Sequence, residues 1–136
     1  NVDIVCDIHE ISADLNEKFD SIICVQVFEH LANPEVAVQN LYRILKPGGV
    51  LVLTLLFISQ IHYVPTDYRR FTPQGVEYIL KGAGFEVEIL ETCGSAVTSI
   101  GSILGMVSED FSSKELSKKD ELYPFNVLCL AKKNSN

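Results

Sequence analysis

Basic residues are scarce in this sequence: 11 Lys and Arg stand against 18 Asp and Glu, for a formal net charge of −7. Nucleic-acid binding rests on clustered cations that displace counterions from phosphates, so no DNA or RNA partner is expected. Cys6, Cys24, Cys93 and Cys129 are far apart and form no CxxC pair, and the three histidines are not closely spaced with them. That spacing gives no metal site. The cysteines mostly lie in apolar runs, where a thiol acts as a small hydrophobe, and a reduced, cytoplasmic setting is expected. The longest apolar stretch, residues 49–61, is broken by Thr54, Ser59 and Gln60. It falls short of the roughly 20 residues that cross a bilayer, so no membrane partner is expected. There is no signal-peptide pattern, internal repeat or low-complexity tract, and no GxGxxG follows a strand-like run, which leaves little room for a nicotinamide dehydrogenase.

The chain has 136 residues, 47% of them apolar, enough to build the core of one domain over residues 1–136. A strand-like run at 2–6 opens the sequence with no polar lead, so we read the domain as truncated at its N-terminus. Residues 19–27 (FDSIICVQV) form a β-branched apolar run of buried-strand length. Asn33 and Pro34 then give a cap followed by a proline at the first helical position. Val38, Leu41, Tyr42 and Leu45 repeat at helical spacing up to Pro47-Gly48-Gly49. Residues 49–57 (GVLVLTLLF) are near-continuously apolar, as in a central strand covered on both faces. Thr72 and Pro73 repeat the cap-plus-proline signal, Val76, Ile79, Leu80 and Ala83 form an apolar helical face, and Gly84 ends it. Strands are expected at 85–90 and 123–132, a helix within 94–107, and a charged excursion at 108–121. Strands alternating with helices in this way predict an open, mainly parallel, doubly wound α/β sheet.

Three segments carry a resemblance: VCDIHEI, FDSIICVQVFEHLANP and YRILKPGGVLVLTL. In this order and spacing, over about residues 2–90, they resemble the class I S-adenosylmethionine-dependent methyltransferases of the type 11 group. The resemblance implies a Rossmann-like fold, S-adenosylmethionine as cofactor and methyl transfer to a small-molecule acceptor. It makes Asp7 the acceptor of the adenine amino group, with the backbone of Ile8 beside it. Gln26 and Val27 would line the sulfonium and amino-acid portion. A carboxylate at the carboxyl end of a parallel strand suits that role, because open α/β sheets bind ligands there. The alternative is that Asp7 merely starts a turn.

His30 follows in the same loop, and imidazole titrates near neutral pH, as a general base must. The alternative is that Glu29 and His30 orient the loop. Residues 62–73 (HYVPTDYRRFTP) resemble the DYxRFTP stretch that follows strand five in a subset of the family. A loop leaving a central strand there hangs over the reactive methyl group. His62 joins His30 as a catalytic candidate, with Tyr63, Asp67, Tyr68 and Arg69 shaping the acceptor site. Aromatic rings beside a sulfonium add about 0.5–2 kcal/mol of cation–π attraction. Asp67 can instead pair with Arg69 or Arg70 to stiffen the loop. Gly101 and Gly105 stand at GxxxG spacing, more often an ordinary contact than a packing motif in a soluble protein.

The family's glycine-rich loop and the acidic residue that holds the ribose hydroxyls have no counterpart here. Gly94, Gly101 and Gly105 lie in the wrong topological place to supply the loop. Two expectations follow: weak cofactor binding by this chain alone, and a homodimer formed through an unpaired edge at 2–6. A noncatalytic scaffold protein with the same fold is the competing function.

Overall fold

The computed structural model describes residues 2–135. Its sheet has four strands in the order β1-β2-β4-β3. Strand β1 (Phe19–Val25) lies parallel to β2 (Leu45–Leu56), while β4 (Asn126–Lys133) runs antiparallel to both β2 and β3 (Phe85–Cys93). Three strands therefore point one way and β4 opposes them, which gives the expected open α/β sheet.

Between β1 and β2 runs α1 (Pro34–Ile44), and between β2 and β3 runs α2 (Pro73–Gly82). Both begin with proline at the position where its missing N–H costs nothing. Thr72 caps α2 through its hydroxyl, which accepts from Gly75 N at 3.1 Å. Asn33 precedes α1 without a side-chain capping bond. Leu45, expected to close α1, instead has extended backbone and begins β2. Pro47 explains the shift, since a proline disfavours helical backbone in the residue before it. Gly49 has no room for a Cβ, which would meet Lys46 O of its own strand at 2.9 Å and Asp20 O of β1 at 3.1 Å.

Register sorts the side chains into rows across the sheet. Cys24, Leu53, Cys129 and Leu90 form one row, and Ile23, Val52, Leu130 and Ile89 form the row on the opposite face. The first face is closed by Ala37, Val38, Leu41 and Ile44 of α1 and by Val76 and Leu80 of α2, all buried. The second is open enough to leave Ile23 74% exposed. The apolar run of β2 is thus closed at Leu51, Leu53 and Leu55 but half-exposed at Val50 and Val52, where cover on both faces was expected.

Residues 2–6 are not a strand. They pair with no strand among the described residues, and Val2, Ile4 and Val5 are exposed. A β-branched run forms a strand only where a ladder partner accepts its backbone groups. The edges of the sheet are accordingly β1 and β3. Segment 94–121 holds α3 (Ala96–Ile103) and the short α4 (Ser113–Leu116). In α3, Gly101 packs so tightly that a Cβ there would meet Phe111 Cζ at 2.2 Å.

Candidate functional site

The carboxyl ends of β1 and β2 lie side by side, and the segments that leave them form the site. After Val25, Gln26 turns the chain with a left-handed φ of 51°, a conformation that disfavours a side chain unless local bonds hold it. Those bonds are present. Gln26 N donates to Thr54 O at 3.0 Å, and its Nε2 lies 3.2 Å from both Thr54 Oγ1 and Asn126 Oδ1. Gln26 Oε1 is buried with no hydrogen-bond partner among the described residues. The expected strand at 19–27 therefore stops at Val25 because Gln26 is recruited to this junction. Val27 packs against the core.

Next comes a single 3-10 turn, Phe28–His30, that buries Phe28 and Glu29. The loop from β2 folds back over it. Tyr68 N donates to Glu29 O at 2.8 Å, His30 Nδ1 lies 2.5 Å from Thr66 O, and Arg69 Nη2 donates to Ala32 O at 2.7 Å. Phe71 N returns to Leu56 O at 2.9 Å, and the Phe71 ring meets Phe28 edge to face at 6.3 Å. Inside the loop Asp67 accepts from Arg70 on both oxygens and from His62 N at 3.0 Å. The Arg70 guanidinium holds the Asp67 carboxyl far below the usual carboxylate range.

This fold-back brings His30 and His62 together, with ring centroids 5.0 Å apart and planes perpendicular. Between them stands Glu29, fully buried, with neither carboxyl oxygen hydrogen-bonded among the described residues. Its Oε1 is 4.0 Å from His30 Nε2 and 3.9 Å from His62 Nε2. Sequence spacing gave no hint of this grouping, since 32 positions separate the two histidines and only the loop return joins them. Asp67 belongs to the site through His62. Arg70, rather than Arg69, is its ion-pair partner, and Arg69 serves the Ala32 carbonyl. Tyr63 and Tyr68 stand exposed on the loop surface, outside the cluster.

Asp7 lies on the segment preceding β1. It caps the 3-10 turn Ile8–Glu10, accepting from His9 N at 2.8 Å and lying 2.7 Å from His9 Nδ1, both through Oδ1. The turn reading of Asp7 is therefore realised, and it leaves the second carboxylate oxygen without a bond among the described residues. Asn40 of α1 anchors the segment by donating to Ile8 O at 2.9 Å. A cleft of about 650 Å³ opens between Phe57, Pro73, Leu90 and the 119–124 segment, and none of these candidate residues lines it.

Comparison with known proteins fits this geometry. A family model described as a methyltransferase domain matches residues 2–53. The mitochondrial ubiquinone biosynthesis O-methyltransferase of Rattus norvegicus is 32% identical over 115 residues, covering 79% of this chain and 32% of that protein. A ubiquinone biosynthesis O-methyltransferase of Pseudomonas putida is 34% identical over 71 residues, covering 52% of this chain and 28% of that protein. The chain thus spans about a third of the length of the curated relatives it matches. Among solved structures, the [4+2]-cyclase SpnF superposes with a TM-score of 0.69 at 18% identity, covering 96% of this chain and 56% of that one. A Burkholderia thailandensis 1,6-didemethyltoxoflavin-N1-methyltransferase, with its substrate and S-adenosylhomocysteine bound, superposes with a TM-score of 0.64 at 14% identity, over 96% and 50% of the two chains. At such identities the likeness speaks for the fold.

Proposed function

Because the chain belongs to the class I S-adenosylmethionine-dependent methyltransferases, with S-adenosylmethionine as the family's cofactor, we propose that it serves methyl transfer to an oxygen nucleophile of a small molecule. The observation that carries this reading is the pairing of His30 and His62 at the carboxyl ends of two parallel strands, where open α/β sheets bind their ligands. The O-methyltransferase relatives favour oxygen over nitrogen or carbon.

The residues present fit the cofactor. Asp7 has an open carboxylate oxygen for an amino donor, with the Ile8 backbone next to it. The orphaned Oε1 of Gln26 is an acceptor of the kind an ammonium group needs, and Val27 supplies apolar surface. When bound, S-adenosylmethionine supplies a sulfonium methyl that passes to the acceptor oxygen as its C–S bond breaks, leaving S-adenosylhomocysteine.

This chain's own part is to align the acceptor and to remove its proton. His30 Nδ1 faces the Thr66 carbonyl, which can only accept, so Nδ1 carries the ring proton and Nε2 is the basic atom. His62 has Nδ1 3.4 Å from Asp67 Oδ2, and the attraction of that carboxylate favours the ring proton on Nδ1, which leaves Nε2 basic. Tyr63, Tyr68 and the apolar Ile61 offer exposed surface for the rest of the acceptor. We place the protein in a reducing, cytoplasmic setting, a reading supported by four free cysteines, two of them buried. No helix among the described residues is long and apolar enough to cross a membrane. We also propose that two copies associate through the free edge of β1.

The test is calorimetric titration of the folded chain with S-adenosylhomocysteine, beside Asp7→Ala. Saturable binding that the substitution weakens is expected. A folded chain that binds nothing would overturn the reading in favour of a noncatalytic scaffold.

A further inference from the structure

The cluster of Glu29, His30 and His62 has a proton count that histidine–carboxylate hydrogen bonding does not satisfy. His30 Nδ1 faces the Thr66 carbonyl at 2.5 Å, and His62 Nδ1 lies 3.4 Å from Asp67 Oδ2, an electrostatic contact longer than a hydrogen bond. Both Nε2 atoms then turn lone pairs toward Glu29 Oε1, itself an acceptor. Three lone pairs face one point with no donor between them. Glu29 is fully buried and neither of its oxygens has a hydrogen-bond partner among the described residues, an arrangement that is strongly disfavoured for a buried carboxylate, and the Arg70 charge acts on it only at a distance.

We infer that Glu29, His30 and His62 form a binding site for one divalent transition-metal ion of the zinc class. Two imidazole nitrogens and one carboxylate oxygen suit zinc, cobalt or manganese better than calcium or magnesium, which prefer all-oxygen shells. The three ligand atoms lie within 4.8 Å of one another. Tetrahedral bonds of about 2.0–2.1 Å place ligand atoms about 3.3 Å apart, so an ion draws them together by about an ångström.

Outer contacts support the assignment independently. A metal-ligating histidine normally gives its other ring nitrogen to a carboxylate or backbone carbonyl, which fixes the tautomer and points the free lone pair at the ion. Here His30 Nδ1 has the Thr66 carbonyl, and His62 Nδ1 has the Asp67 carboxylate 3.4 Å away. Asp67 is in turn held by both nitrogens of the Arg70 fork, and Arg70 Nη2 also donates to Gln60 O at 2.8 Å. The exposed loop that carries His62 is thereby fixed from several sides.

Three protein ligands leave a coordination position open at the strand ends. With both Nε2 lone pairs on the ion, the histidines no longer act as bases; an acceptor oxygen bound at the open position becomes more acidic, is aligned by the ion and loses its proton to solvent. That role rests on the methyl-transfer reading, whereas ion binding does not.

The experiment titrates chelator-stripped protein with Zn²⁺ and with Co²⁺ in the absence of cofactor and acceptor, so its outcome is separate from that of the S-adenosylhomocysteine titration. One ion per chain is expected, with visible d–d absorption for Co²⁺. Glu29→Gln keeps the buried volume, and His62→Gln lies on a partly exposed loop. Each should weaken binding at least about tenfold and remove the Co²⁺ bands. Cys6→Ser and His9→Gln should leave both unchanged. Absence of saturable binding in the wild type overturns the inference, as does retention of full affinity by either Glu29→Gln or His62→Gln.

Discussion

Asp67 and Arg70 form a two-pronged pair three residues apart, with Arg70 Nη1 2.5 Å from Oδ1 and Nη2 2.8 Å from Oδ2. The carboxylate is almost fully enclosed. It also receives the backbone of His62, so this pair fixes the position of one of the two site histidines.

Arg70→Ala leaves that carboxylate enclosed and unpaired. Breaking a buried pair from one side costs about 3–5 kcal/mol, and the partial exposure of Arg70 puts the expected loss near the lower end. Urea unfolding measures it. Loss of His62 positioning should also lower kcat more than it raises KM for the acceptor, a split that mere destabilisation would not give.

Gln26 is held in left-handed backbone by its own side-chain bonds to Thr54 and Asn126. Gln26→Ala removes both bonds and keeps the strained φ, so a loss of about 1–2 kcal/mol is expected. Gln26→Gly loses the same bonds but relieves the backbone. It should be more stable than the alanine variant by about 1 kcal/mol, read from paired denaturation curves.

Burial pushes the thiols of Cys24 and Cys129 up to about 11. The folded chain therefore holds these protons above the pH at which an unfolded thiol, near 8.5–9, releases them. Stability falls as pH rises from about 9 toward 11, because the unfolded state binds fewer protons there. Replacing both residues with Ala should flatten this alkaline limb in a melting series. At neutral pH, thiol reagents should modify exposed Cys6 well before either buried cysteine.

Gly101 has Phe111 against its Cα, with no room for a Cβ. Gly101→Ala forces that ring out and loosens the 108–121 excursion from α3. A cost of about 1–3 kcal/mol is expected from overpacking, together with faster proteolysis within 108–121. Unchanged proteolysis would show that the Gly101–Phe111 contact does not hold the segment.

On the edge strand β1, Ile23 and Val25 lie exposed on the uncovered face of the sheet. If copies associate there, a lysine on the edge blocks pairing. Ile23→Lys should shift the sedimenting species toward monomer at micromolar concentration. A wild type that is monomeric at that concentration would overturn edge pairing.

Local signals alone determined much of this chain. Proline at the first helical position set the starts of α1 and α2, with a capping hydroxyl only at Thr72, and runs of alternating or continuous apolar residues located the four strands. The FD…EHL…KPGG spacing marked the family. These features depend on backbone sterics and on periodicity within a few residues, so they are written in the sequence itself. Other features required the folded chain. The run at 2–6 has strand composition but no ladder partner, and only the sheet decides which runs are paired. Leu45 fits the helical period, yet Pro47 excludes its neighbour from helix and Leu45 opens a strand. The grouping of Glu29, His30 and His62 depends on a loop clamped by Tyr68, Thr66, Arg69 and Phe71 against a turn far away in sequence. The loss of loop entropy is offset only by those long-range contacts, and no short-range pattern in the sequence reports them.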